Sequence, residues 1–180
     1  MKNSIAITAL ISSTFLAGAA FADSSITSSI SVLTFETGGT TYTGAVASTA
    51  ELEFDFSQNL YGNIAVTYVT ASGADAVGLG AGLGYLFRDD INLQNASGMR
   101  LGAGLYLGGL VELNAAMPLS QDLIADVAIA TPVNGFGDLF TYDIGVEYAP
   151  LGIYANYMDA SYTDYDLSLN GFGIGYRSHF

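Results

Sequence analysis

Phe172-Gly173-Ile174-Gly175-Tyr176-Arg177-Ser178-His179-Phe180 ends the sequence on two alternating chemistries. On an extended backbone, successive side chains point to opposite faces. Phe172, Ile174, Tyr176 and Phe180 therefore share one face, and Gly173, Gly175, Arg177 and His179 share the other. A soluble strand of this kind buries its apolar face in a core and is normally followed by more chain. Here the expectation is a last strand that stops on its aromatic.

The same alternation runs back through the chain. Val77, Leu79, Ala81, Leu83, Tyr85 and Phe87 lie opposite Gly78, Gly80, Gly82 and Gly84, a period an amphipathic helix does not produce. Strands are predicted over 26–35, 42–56, 60–71, 76–87, 99–107, 110–117, 123–131, 140–148, 153–162 and 167–180. Gly108-Gly109 decides the count. Read through, 99–117 is one strand, too long for the ~9–11 residues of a tilted membrane-spanning strand. Read as a hairpin turn, it gives about ten strands. Eight, with the Ser-rich first segment or one hairpin misread, is the alternative. Parity favours the turn, since reading through it makes the count odd and single-chain bacterial barrels carry even numbers.

Met1-Lys2-Asn3, an apolar stretch from Ile5 to Ala20, and Ala20-Phe21-Ala22 before Asp23 form a secretory signal cleaved after Ala22. The stretch is short and Ser/Thr-interrupted for a spanning helix. Residues 23–180 are then one domain. With no Cys there is no disulfide framework. Without Lys2, three arginines remain against seventeen carboxylates, a net −14. That balance argues against nucleic-acid binding and against a polybasic lipid patch.

Half of the residues are hydrophobic, yet they are dispersed at period two, the pattern of a membrane barrel. If both ends are periplasmic, the turns at 57–59, 88–98, 118–121 and 149–152 are too. Phe54, Phe56, Tyr61, Tyr85, Phe87, Tyr148 and Phe180 then form an aromatic girdle. Tyr42, Tyr68, Phe140 and Tyr162 lie near the opposite rim. The expected fold is all-β: a transmembrane antiparallel up-and-down β-barrel with short loops.

On these residues the chain resembles the small outer-membrane barrels of Gram-negative bacteria, such as the OmpA transmembrane domain, OmpX, opacity-type and YfaZ-like proteins. Phe172, Ile174, Tyr176 and Phe180 match the C-terminal assembly signal of those families, and Ser178 departs from it. Val77-Gly-Leu-Gly and Gly145-Val-Glu-Tyr148 look similar to YfaZ-like segments. The resemblance implies residence in the bacterial outer membrane, contact with its lipid and lipopolysaccharide, and passage through periplasmic chaperones and the barrel-assembly machinery. A monomer is the expectation.

Nothing marks a catalytic centre. The sole histidine is His179, so neither a nucleophile–base pair nor a zinc site can be assembled. The strand glycines fail the G-x-G-x-x-G spacing at Leu83 and Tyr176. Their meaning is steric: room for larger side chains such as Tyr106 and Tyr154. No cofactor or metal is expected. The candidate residues are lumen charges: Glu51, Glu53, Asp55, Glu112, Asp126, Asp143 and Glu147 against Arg100 and Arg177, with ion pairing near the periplasmic end. The expected role is non-enzymatic, in envelope structure or surface interaction. A narrow cation-preferring channel is the first alternative and a lipid-modifying enzyme the second. Acids of the outer loops (Glu36, Asp75, Asp138, Asp159, Asp164, Asp166) form a solvated rim, or bridge divalent cations to lipopolysaccharide.

Overall fold

The computed structural model describes residues 24–71, 74–133, 139–163 and 166–179. Ala20, Ala22 and the predicted cleavage site lie outside them, as do Asp138, Asp164 and Phe180. Among the described residues the chain forms ten strands: β1 (Ser25–Thr37), β2 (Thr40–Asp55), β3 (Leu60–Ala71), β4 (Ala74–Asp89), β5 (Arg100–Tyr106), β6 (Leu110–Pro118), β7 (Leu123–Pro132), β8 (Leu139–Tyr148), β9 (Ile153–Tyr162) and β10 (Leu167–His179). Each is antiparallel to the next, and β10 pairs back onto β1 from Ser25↔His179 to Thr37↔Leu167. The sheet is a closed barrel. Gly108 and Gly109 have φ of 92° and 77° and make the tight β5–β6 hairpin, as the ten-strand count requires.

Residues 24 and 179 share one end, here the terminal end, with the connections 56–59, 90–99, 119–122 and 149–152. The other connections lie at the distal end. Outside, the strands present Leu79, Leu83, Leu105, Leu113, Ile144 and Ile174; Phe172 is 71% exposed. Water does not tolerate so continuous an apolar surface. A closed barrel satisfies its backbone hydrogen bonds internally, so this exterior suits lipid.

The aromatic girdle is real but differs in membership. Phe56, Tyr85, Phe87 and Tyr148 are exposed at the terminal end. Phe54 lies half-buried, its ring with that of Phe56 covering Gly62. Tyr61, expected in the girdle, is instead buried in the lumen. Its parity with Asn63, Ala65 and Thr67 requires this. At the distal end Tyr162 also turns inward, while Tyr42 shares the face of Phe35 but stays exposed above the barrel mouth. Tyr162 packs on the buried apolar cluster together with Phe35. Tyr42 changes face because Gly44 (φ 77°) adds a residue where the β1–β2 register shifts, between Leu33/Thr34 and Ala45/Thr43. Beyond the bulge Tyr42 pairs with the inward Phe35 and stacks on it at 4.8 Å.

The connection 90–99, where a turn is expected at 88–98, is a structured strap. It carries a short 3-10 turn, Leu93–Asn95, and an Asn92↔Ser97 bridge. Ile91 and Leu93 pack against Ala116 and Ile124 beneath the terminal mouth.

Candidate functional site: a packed lumen

Inward parity along all ten strands converges on the lumen, which is filled in three layers. The distal layer is apolar: Leu33, Val69, Leu110, Leu139, Met158 and Leu169, with Phe35 and Tyr162 above them. The middle layer is polar and buried. The terminal layer holds the two inward arginines above the strap.

Each arginine meets a carboxylate. Arg177 Nη1 donates to Glu147 Oε2 at 2.9 Å, its Nε donates to Thr27 Oγ1 at 3.2 Å, and its guanidinium lies 5.3 Å from the Tyr154 ring. Arg100 lies 4.0 Å from Glu53 and 6.0 Å from the centre of the Tyr61 ring. Four of the lumen charges predicted from sequence are thus paired at the terminal end, Arg177 with Glu147 and Arg100 with Glu53.

The other acids have a different kind of partner. Glu51 accepts from Asn63 Nδ2 at 3.0 Å. Glu112 Oε1 accepts from the Tyr106 hydroxyl and from Asn114 Nδ2, each at 3.0 Å, and the same amide donates to the Tyr61 hydroxyl. Asp143 accepts from Asn156 Nδ2 at 2.6 Å. Glu112 is 1% exposed and Glu51 8%. A buried carboxylate without such donors would be far less tolerable. Asp126 and Asp55 are only half-buried, and the carboxylate of Asp126 lies against Gly145.

The neutral donors Asn63, Asn114 and Asn156 were absent from the candidate set. Their signal was available in the sequence, because each faces an inward glycine on a neighbouring strand. A Cβ added at Gly82 would meet Asn63 Oδ1 at 2.9 Å, and one at Gly102 would meet Asn114 Oδ1 at 2.6 Å. Gly173 likewise abuts Asn156, Gly84 abuts Tyr61, and Gly175 abuts Tyr154. Glycine on one strand makes the space that a polar side chain on the next one fills.

The assembly-signal residues Phe172, Ile174 and Tyr176 face outward and are exposed, as is Ser178. At the distal rim the Tyr68 hydroxyl bonds Asp75, and the Tyr157 hydroxyl donates to Asp159 at 3.2 Å. Among the described residues no group of three or more His, Cys, Asp or Glu side chains is arranged to hold a metal.

No protein-family model and no curated protein sequence matches the chain. Solved structures match it in overall path. Neisserial surface protein A (NspA) shares 10% identity over 87% of this chain and 97% of its own, with a TM-score of 0.44. The translocator domain of the autotransporter NalP from Neisseria meningitidis shares 13% identity over 98% and 95%, with a TM-score of 0.45. Ail, the attachment invasion locus protein of Yersinia pestis, shares 9% over 88% and 100%, with a TM-score of 0.37. At these levels the likeness carries no assignment of activity. The barrel's own surfaces carry more: closed, apolar outside and polar within, it has the architecture of a small integral protein of the bacterial outer membrane.

Proposed function

We propose that the chain is a non-enzymatic outer-membrane barrel with a stoppered lumen, serving envelope structure or presenting its distal rim to the surroundings. The termini and short turns face the periplasm and the distal end faces outward. One observation supports this reading: five of the lumen carboxylates, Glu51, Glu53, Glu112, Asp143 and Glu147, are buried among other lumen side chains. Tyr61, Tyr106 and Tyr154 occupy the polar layers, the apolar layer caps them, and the strap lies beneath. Small barrels whose interior side chains meet leave no channel.

The test is conductance of the refolded chain in planar bilayers, where a stoppered lumen gives no discrete steps across salts and voltages. Cation-biased steps reduced by neutralising Glu112, Asp126 and Asp143 would establish the channel reading instead. A lipid-modifying role predicts altered lipid A or phospholipids on overexpression, and unchanged lipids are the expected outcome. Lipid, lipopolysaccharide and the assembly machinery are the proposed partners, and a monomer the proposed state.

A further inference from the structure

Strand β2 loses its two neighbours at different heights. On one side it pairs with β1 as far as Thr37↔Thr40. On the other, pairing with β3 begins only at Val46↔Thr70. β1 is covered by β10 up to Leu167, so the edge left open is that of β2. Residues 40–44, Thr-Thr-Tyr-Thr-Gly, are exposed throughout. They stand above the level where Val32 pairs with Val46 and Phe172, the last apolar row on the outer face of this wall. A closed barrel elsewhere removes its edges, whereas among the described residues this one keeps a short stretch of β2 backbone with no strand on its second side at the distal rim.

The edge is held in shape. Gly38 and Gly39, with φ of 57° and 74°, close a two-residue hairpin of the kind that matches strand twist. The Phe35–Tyr42 stack braces it. Lysine and proline, which natural edges use to block pairing, are missing from 40–44.

Its surroundings have one sign. Glu36 pairs across from Thr41 on the hairpin, and Asp75 sits beside Thr70 at the top of β3 and β4. Among the described residues the charged side chains of the distal end are all carboxylates, while Arg88, Arg100 and Arg177 lie towards the terminal end. A segment laid along residues 40–44 would run between Glu36 and Asp75.

We propose that the β2 edge at Thr40–Gly44 docks an extended, lysine- or arginine-bearing polypeptide segment as an added strand. Main-chain hydrogen bonds supply the pairing, and Glu36 and Asp75 select positive charge. The inference uses the surface-interaction reading only to place this edge outside the cell. Peptide binding tests the edge, and conductance tests the stoppered lumen, so either can fail alone.

The experiment uses the refolded full chain in phosphocholine micelles with a fluorescent peptide of about eight residues alternating Thr and Lys. Companions are a Thr/Glu peptide and two Thr/Lys peptides N-methylated at alternate backbone nitrogens, in opposite phases. The basic peptide binds saturably and slows amide exchange within residues 40–44. One N-methylated phase loses at least about tenfold in affinity while the other binds as before, because alternate amides on a strand face opposite sides. Thr41→Lys/Thr43→Lys also weakens the basic peptide at least about tenfold by like-charge opposition, with folding checked by heat-modifiable gel mobility. Equal binding of the Thr/Glu peptide, equal loss in both N-methylated phases, or an unaffected double variant would overturn the proposal. So would edge amides already protected by self-association, read by sedimentation without peptide.

Discussion

Arg177 on β10 and Glu147 on β8 form a buried ion pair, Nη1 to Oε2 at 2.9 Å, that spans the strand between them. The same guanidinium reaches Thr27 on β1 and the face of Tyr154 on β9. It thereby ties four consecutive strands around the seam where the barrel closes. Truncating one partner strands the other charge in a dry site, which costs about 3–5 kcal/mol, whereas replacing both is close to neutral. Arg177→Met should therefore lower the urea midpoint of the barrel in vesicles strongly. Arg177→Met/Glu147→Met should recover most of the loss. An additive double variant would refute the pairing.

The glycines make a second, independent prediction. Gly84 faces Tyr61, which is buried and already stacked towards Arg100. Gly84→Ala forces a methyl into that ring and should destabilise by about 1–3 kcal/mol, the usual cost of overpacking. Gly84→Ala/Tyr61→Ser makes room and should recover part of that loss. Gly84→Ala with unchanged stability would mean the ring moves freely, contrary to a filled lumen.

How far the sequence carried this reading depends on what each feature needs. Strict alternation from Val77 to Tyr85 is enough to predict a strand and its two faces, and the double glycine at 108–109 is enough to place a hairpin. Lumen charges such as Glu112 and Arg177 follow from parity alone. Tyr42 escaped because one residue, Gly44, resets the parity of everything beyond it. A bulge has no period to detect. Tyr61 stands next to a turn, where a girdle aromatic is expected, but its alternation with Asn63 puts it in the lumen. The apolar distal stopper was hidden for another reason: Leu33, Leu110 and Leu169 lie far apart in sequence and meet only once the sheet closes. Counting charges could not find the neutral donors either, although the glycines opposite them could.

Glu112 separates charge from hydrogen bonding. Its Oε1 is the acceptor for both Tyr106 and Asn114. Glu112→Gln keeps a carbonyl oxygen there and should change stability by less than about 1 kcal/mol. Glu112→Leu leaves a buried hydroxyl and amide without an acceptor, at about 1–3 kcal/mol each. Denaturant midpoints of the two variants in the same vesicles make the comparison. Equal loss in both would assign the role to the negative charge itself.

The strap offers a pH-dependent readout at the terminal end. Arg88 grips Asp90 through two hydrogen bonds of 2.8 and 2.7 Å, and the Met99 backbone N–H donates to the same carboxylate at 2.8 Å. The Arg88 hydrogen bond first, and the Met99 amide second, hold the Asp90 carboxyl below its ordinary 3.8. Because the folded value is the lower one, the stabilisation of the strap is fully present above the unfolded value. It is lost as pH falls through the folded value. Amide exchange at Met99, corrected for its intrinsic pH dependence, should therefore stay constant from neutral pH down to about 4. Protection should fall in more acid solution. Asp90→Asn removes the titrating group and the charged acceptor together. It should raise Met99 exchange at neutral pH and flatten its acid dependence. A Met99 amide that loses protection at the same acid pH in Asp90→Asn would show that some other group releases the strap.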